Sequence, residues 1–208
     1  MLVETPGAFS DLRVSALHSS FGRVVAGDGS PSDSGSLGTG GIAAAVGVFG
    51  SRGTSLSVSN CTAECIIGGD GGTGGTAAFV AAGSSSLLSA VVQYNTVARM
   101  LGGSARAPAA AGGGVVGCAL NCSTLSCRCA SNSWGHGYAG DASAVYGNGG
   151  SVFGALATGA YMPSGAGTNH FASEFPGNGG AKGDDGVFEM SACLHPPCRS
   201  AGQLRGTQ

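Results

Sequence analysis

Charge is scarce in this sequence. Asp, Glu, Lys and Arg make up only 10% of the 208 residues, against about 25% in an ordinary domain, and the formal net charge is −2. With 42% hydrophobic residues, this balance excludes charge-driven disorder, which needs high net charge and little apolar matter. The few basic residues are scattered, which excludes the phosphate-binding stripe of a nucleic-acid protein. Aromatics are also few, at 6% with one Trp, so a large aromatic core is excluded. No window keeps a 3.6-residue apolar period. Glycine at this density disfavours helix by about 1 kcal/mol per residue relative to alanine. The glycines lack a G-X-Y period, which excludes collagen. Two uncharged stretches, 71–98 and 107–127, are long enough to cross a bilayer, which takes about 20 residues. Polar residues and glycine interrupt both, so they read as strands and turns, and no transmembrane segment is expected. The N-terminus, Met1-Leu2-Val3-Glu4-Thr5-Pro6, lacks a basic n-region followed by an apolar h-region, so no signal peptide is expected in this chain.

What the sequence has is glycine, 41 residues of it, placed in a repeat. Gly40-Gly41, Gly74-Gly75, Gly113-Gly114 and Gly149-Gly150 each lead into a short apolar run. The second glycines recur at steps of 34, 39 and 36 residues. A period of roughly 20–50 residues marks a solenoid or array. Before and between the pairs lie segments that alternate polar and apolar residues, such as Asp11–Ala16 and Leu56–Asn60, the period-2 mark of a half-buried strand. Each cycle reads as strand, asparagine-containing turn, variable glycine-rich loop, Gly-Gly, strand. Glycine pairs suit sharp corners with close backbone approach. Asn60, Asn95 and Asn132 suit the other corners, because asparagine tolerates the left-handed region and bonds nearby backbone. The expectation is an all-β, right-handed parallel β-helix of about five coils, a piece of a longer array. Residues 1–10 read as a ragged lead-in, 11–190 as the repeats and 191–208 as a tail.

The motifs Gly40-Gly41-Ile42, Gly74-Gly75-Thr76-Ala77 and Gly113-Gly114-Val115, alternating with Val58-Ser59-Asn60 and Val92-Gln93-Tyr94-Asn95, resemble the repeats of polymorphic outer-membrane-protein-type β-helices. The resemblance covers roughly residues 36–160. The Phe-x-x-Asn form of the second motif is not met. The resemblance implies a pectin-lyase-like fold and a surface adhesin or structural cell-surface protein. The same fold also carries pectate-lyase-type enzymes, so fold alone does not transfer function.

Eight cysteines are an even number, which favours disulfides in an oxidising compartment. Cys61, Cys65, Cys118, Cys122, Cys127, Cys129, Cys193 and Cys198 are all candidates, their pairing open. Cys118, Cys122, Cys127 and Cys129 could instead hold zinc tetrahedrally or stay as buried thiols. Asn60-Cys61-Thr62 and Asn121-Cys122-Ser123 match the glycosylation sequon. The acidic residues Asp70, Asp141, Glu174, Asp184 and Asp185 are sparse and read as solvated turns. A calcium ion at Lys182-Gly183-Asp184-Asp185 or at Gly68–Gly72 is the competing reading. His18, His136 and His170 lie far apart, and no catalytic set is identifiable. Trp134, Tyr138 and Tyr146 read as packing residues, with a sugar-stacking patch as the alternative. These features lead to a non-enzymatic extracellular or cell-surface β-helix that displays loops to glycans or surface proteins. No catalytic residue, metal or cofactor is assigned. The alternatives are a carbohydrate-active enzyme, which needs clustered carboxylates, and an ice- or surface-binding solenoid, which needs flat threonine rows.

Overall fold

The structure, a computed structural model, describes residues 2–4, 12–30, 38–49, 52–82 and 86–194. The chain winds as a parallel β-solenoid of about four turns. Strand β1 (Leu2–Glu4) precedes the first coil. The first four coils each lay down three strands: β2 (Arg13–Leu17), β3 (Ser20–Val25) and β4 (Ala43–Phe49) in the first; β5 (Arg52–Ser59), β6 (Thr62–Ile67) and β7 (Ala77–Ala81) in the second. The third holds β8 (Ser86–Gln93), β9 (Thr96–Leu101) and β10 (Val115–Leu120), and the fourth β11 (Cys127–Ala130), β12 (Ser133–Tyr138) and β13 (Val152–Ala157). In the fifth, a 3-10 helix (Ala166–Thr168) stands where the first strand would be, before β14 (His170–Phe175) and β15 (Phe188–Cys193). Stacking the coils gives three parallel faces. The first is β2-β5-β8-β11, the second β3-β6-β9-β12-β14, and the third β1-β4-β7-β10-β13-β15. Strand pairing reaches Leu2–Glu4 at one end and Cys193 at the other, beyond both limits of the 11–190 span expected for the repeats.

Inside the coils, side chains stack in files set by the strand register. Ala43, Ala77, Val115 and Val152 form one such file. Phe79 and Trp134 are fully buried, with ring centroids 5.5 Å apart. The interior holds so large a pair because their neighbour is Gly117, where a β-carbon would collide with the Trp134 indole. Fully burying a side chain of Phe size stabilises by about 3 kcal/mol, so these two rings matter in a core whose other members are mostly smaller, Ala, Val and Cys with a few Leu, Ile and Met side chains such as Leu56, Ile66 and Met100.

The glycines do more than turn corners. Between the second and third faces the chain leaves the barrel of each coil and returns, and both legs are pinned by backbone. Gly27, Gly69, Gly103, Gly140 and Gly177 line the outgoing legs; Gly41, Gly75, Gly113, Gly150 and Gly186 line the returning ones. The two rows zip together. Gly41 donates to Gly27, Gly69 to Gly41, Gly75 to Gly69, Gly103 to Gly75, and the alternation continues to Gly186 on Gly177, with N···O distances of 2.7–3.0 Å. In the outgoing leg of coil 2, the Gly68 and Gly71 amides point to the next coil (Leu101 and Ser104) while Gly69 points across the rows. Gly74 and Ala77 do the same on the return, donating to Ala111 and Gly114. This period of three is that of a polyproline-II-like segment, whose own backbone groups must all be satisfied from outside. Only glycine lets such legs approach. A β-carbon at Gly69, Gly103 or Gly140 would collide with the carbonyl of the glycine one coil away.

This arrangement corrects one expected corner. In coil 3 the paired glycines are Gly112-Gly113, which follow Gly74-Gly75 and precede Gly149-Gly150; Gly112 donates to Asn148, as Gly74 does to Ala111. Gly114 instead shares the position of Ile42, Thr76 and Ser151, where the neighbouring coils carry side chains. A run of three glycines hides its phase in the sequence.

At the corner between the first and second faces, Asn95, Asn132 and Asn169 stack as a buried ladder. The Asn95 side-chain amide donates to Asn132 Oδ1 at 2.9 Å, and that of Asn132 to Asn169 Oδ1 at 2.8 Å. The Oδ1 atoms of Asn95, Asn132 and Asn169 accept the backbone N–H of Cys61, Asn95 and Asn132, respectively, from the coil before. Asn60 does not belong to this ladder. It sits one position earlier, exposed, with φ 54°, in the left-handed file of His18, Tyr94 and Ser131. Cys61 occupies the ladder position of that coil.

Four cysteines form two nested disulfides, Cys118–Cys129 and Cys122–Cys127, across the turn from β10 to β11. The zinc alternative for these four is thereby overturned. Disulfides closing short loops stabilise by about 2–3 kcal/mol. Cys193 is also disulfide-bonded, and Cys198 lies outside the described residues. Cys61 and Cys65 are free, contrary to expectation. Four residues of extended chain separate them by roughly 13 Å, beyond the 7 Å Cα limit for a bridge. The Cys61 thiol donates instead to the Ala16 and Ser59 carbonyls.

Candidate functional site

The zipped glycine legs carry a short tip from each coil to the same edge of the solenoid. The tip of coil 1, residues 31–37, lies outside the described residues. In coil 2 the tip is little more than Gly72. Coil 3 presents Arg106 to Ala110, coil 4 Ser143 to Gly147 and coil 5 Gly180 to Gly183. The tips rest on one another: Arg106 N–H donates to Gly71 O, Ser143 to Ala105 O and Lys182 to Val145 O. The edge formed by the described tips is therefore continuous with the stack. Among the described residues Arg106, Val145, Tyr146 and Lys182 protrude from it, with Val145 and Tyr146 more than half exposed. The Lys182 ammonium lies 5.3 Å from the Tyr146 ring centroid and 3.4 Å from its hydroxyl. Arg106 pairs with Asp70 at 3.4 Å, an exposed pair worth at most about 1 kcal/mol.

The loop carboxylates are committed to the stack. Asp28, Asp70 and Asp141 each follow the outgoing glycine, and each accepts a backbone N–H from the next coil: from Asp70 at 2.9 Å, Ser104 at 2.7 Å and Asn178 at 2.7 Å. Asp185 accepts from Gly179 at 2.8 Å, closing the fifth tip. Among the described residues no group of three or more His, Cys, Asp or Glu side chains converges on a metal-sized site. The file of Asp28, Asp70 and Asp141 is legible in the sequence only once the outgoing glycines are aligned, since each carboxylate follows one of them.

The outer surface of the second face carries three files of register-paired residues, with Glu64 and Ala98 exposed between the first two. Ser20, Thr62, Thr96 and Ser133 make a hydroxyl row that ends at His170, and the Thr62 hydroxyl donates to Ser20 at 3.2 Å. Arg23, Cys65, Arg99, His136 and Ser173 follow, with His136 Nδ1 2.6 Å from the Ser173 hydroxyl. Among the described residues no carboxylate is hydrogen-bonded to His136, so this pair lacks the third group that would orient a general base. Beyond it run Val25, Ile67, Leu101, Tyr138 and Phe175, the last two stacked at 4.7 Å. His136 and His170 sit on neighbouring strands in different files, and His18 is at the far end of the stack. Trp134 is core, Tyr138 is on the second face and Tyr146 is on a tip, so the three form no common patch. The sequon residue Asn60 is exposed, while Asn121 is partly buried beside the disulfide-bonded Cys122.

Two kinds of site residue escaped the sequence reading. Asn169 completes the ladder at the same step of 37 residues that separates Asn95 from Asn132, and that spacing is its signal. The outgoing glycines recur just as regularly, but they stand in loops crowded with other glycines. The chain is a parallel β-solenoid by its strands, ladders and zipped legs. No protein-family model, curated protein or solved structure matches it.

Proposed function

We propose that this chain is a non-catalytic β-helix of an extracellular or cell-surface protein, a rigid scaffold for adhesion or surface structure. Its display edge meets a glycan or a surface protein. The observation that carries this reading is the common edge to which the zipped legs bring the tips. The backbone of each tip is fixed by the coil before it, while the tip side chains vary from coil to coil. Disulfides fit an oxidising compartment. The same considerations favour a right-handed, pectin-lyase-like helix of the polymorphic outer-membrane-protein repeat type, with stacked parallel faces and a buried asparagine ladder. A polysaccharide-cleaving role has less support, because Asp28, Asp70 and Asp141 are occupied by backbone N–H groups of the stack. Ice binding has less support as well: the single hydroxyl row runs beside Glu64 and Arg99 rather than a second row.

The test is binding of the folded, oxidised chain to arrays of glycans and surface proteins. A triple variant, Val145→Ser with Tyr146→Ser and Lys182→Ser, is measured in parallel. Loss of the leading signal by tenfold or more, at an unchanged melting midpoint, is the expected result. Signals indifferent to the tips, or release of cleaved sugar from any polysaccharide, would overturn the reading.

A further inference from the structure

From coil 1 to coil 4 the described outer surface of the third face is apolar, which a solvated sheet face is not expected to be; coil 5 continues the file of Ala78, Val116 and Phe153 with the exposed Glu189. Ala78, Ala81 and Val116 are buried there in a cluster of their own, joined by Phe49, Ala119, Phe153 and Leu156. The register explains its shape. Coils 2 and 3 present small residues, Ala78 and Ala81 beside Val116 and Ala119. Coil 1 raises Ile42 and Phe49 on one side of this floor, and coil 4 raises Phe153 and Leu156 on the other. The result is a groove of about 250 Å³ running along the strands. Thr76 and Thr158 are its only hydroxyls among the described lining residues, and none of those residues is charged.

We propose that this groove binds a single hydrocarbon chain of a free amphiphile. Three features select that occupant. The described lining offers nothing to pair a charge, so the part that enters must be uncharged and apolar. The volume suits about eight methylenes, taking each near the 30 Å³ share of a liquid water. The floor from Ala78 to Ala81 runs about 10 Å, three residues at the strand rise, which suits an extended chain of that size. A second copy of the protein fits poorly. A stable interface buries about 800 Å² per partner, and the accessible lining here is far smaller. Packed sheets also stand about 10 Å apart, and the Phe49 and Phe153 ridges would hold a second sheet off the floor.

The experiment is calorimetric titration of the full oxidised chain with hexanoate, octanoate, decanoate, dodecanoate and decylamine, each below its micellar concentration. Saturable one-to-one binding is expected. Affinity should rise about three- to fourfold per methylene from hexanoate to octanoate, as burial of each methylene dictates. It should level off beyond decanoate, where the groove is full, and decylamine should match decanoate within a few-fold. Ala119→Phe, which fills the floor, and Phe153→Ala, which removes a wall, should each weaken decanoate at least tenfold while the melting midpoint shows a folded chain. Absence of saturable binding, or unchanged affinity in both folded variants, would overturn the proposal. So would a preference set by head-group charge. Sedimentation with phosphatidylcholine vesicles without binding of monomeric decanoate would assign the face to a membrane surface instead. A dimer that decanoate fails to dissociate would assign it to a second copy.

Discussion

Asn132 is the residue on which the inner corner turns. Its side-chain oxygen accepts from both the backbone and the side chain of Asn95, and its amide donates to Val92 O and to Asn169. Every partner is buried, so truncation leaves several polar groups unmatched, at about 1–3 kcal/mol each. Asn132→Ala should therefore cost about 3–5 kcal/mol, read as a lower urea midpoint with the slope unchanged. Asn60 supplies the contrast. It sits exposed at φ 54°, so Asn60→Gly should stay within a few tenths of a kcal/mol, while Asn60→Val should lose about 1–2 kcal/mol to left-handed strain. An equal cost at positions 60 and 132 would show that the ladder does not hold the corner. The sequence displays both asparagines alike. Their difference is a one-residue offset from the left-handed position to the inward one, which only the stacked register resolves.

The zipped glycine leg is the element that gives this chain its composition. A glycine-rich loop in a sequence reads as a flexible turn, and the pairs at 40–41, 74–75 and 149–150 read as corners, whereas their amides belong to the returning legs. What stays hidden is that each leg has another leg as its partner, one coil away or across the rows, at a separation no local pattern reports. For the same reason the three glycines at 112–114 admit two phases, and only contact with Asn148 and Gly103 picks one. Gly103 tests the element. A β-carbon there meets the Gly69 carbonyl oxygen and the Asp70 amide nitrogen, both backbone, so neither can rotate away. Gly103→Ala should destabilise by more than about 3 kcal/mol, the range of overpacked cores. Gly22→Ala, where nothing lies within 4 Å, should be neutral or slightly stabilising through the unfolded chain. Thermal melts of the two variants separate the readings, since flexible legs would tolerate both changes equally.

At the scale of the molecule, each coil touches only its neighbours, so stability is close to a sum of coils and the contacts between them. The period itself, strands included, was readable from the Gly-Gly steps and the alternating segments. The third face's outer groove was not, because it arises from side chains 34–38 residues apart that meet only through register. A deletion checks that register is what organises the fold. Gly69 and Gly103 occupy equivalent positions in successive coils, so removing residues 69–102 joins Gly68 to Gly103 with every file kept in phase. The Cys61 amide then faces Asn132 in place of Asn95, both disulfides between β10 and β11 remain, and one Phe–Trp contact is lost with Phe79. The shortened chain should keep a β-rich circular dichroism spectrum and a single cooperative melt, at a lower midpoint because one coil interface is gone. It should also lose the groove, because its floor strand β7 is removed while the tips of coils 3 to 5 stay in place. The two proposals, decanoate binding by the groove and partner binding by the tips, would then be tested separately in one molecule. A non-cooperative melt would mean that the coils are not interchangeable units, and that the fold depends on contacts reaching beyond nearest neighbours.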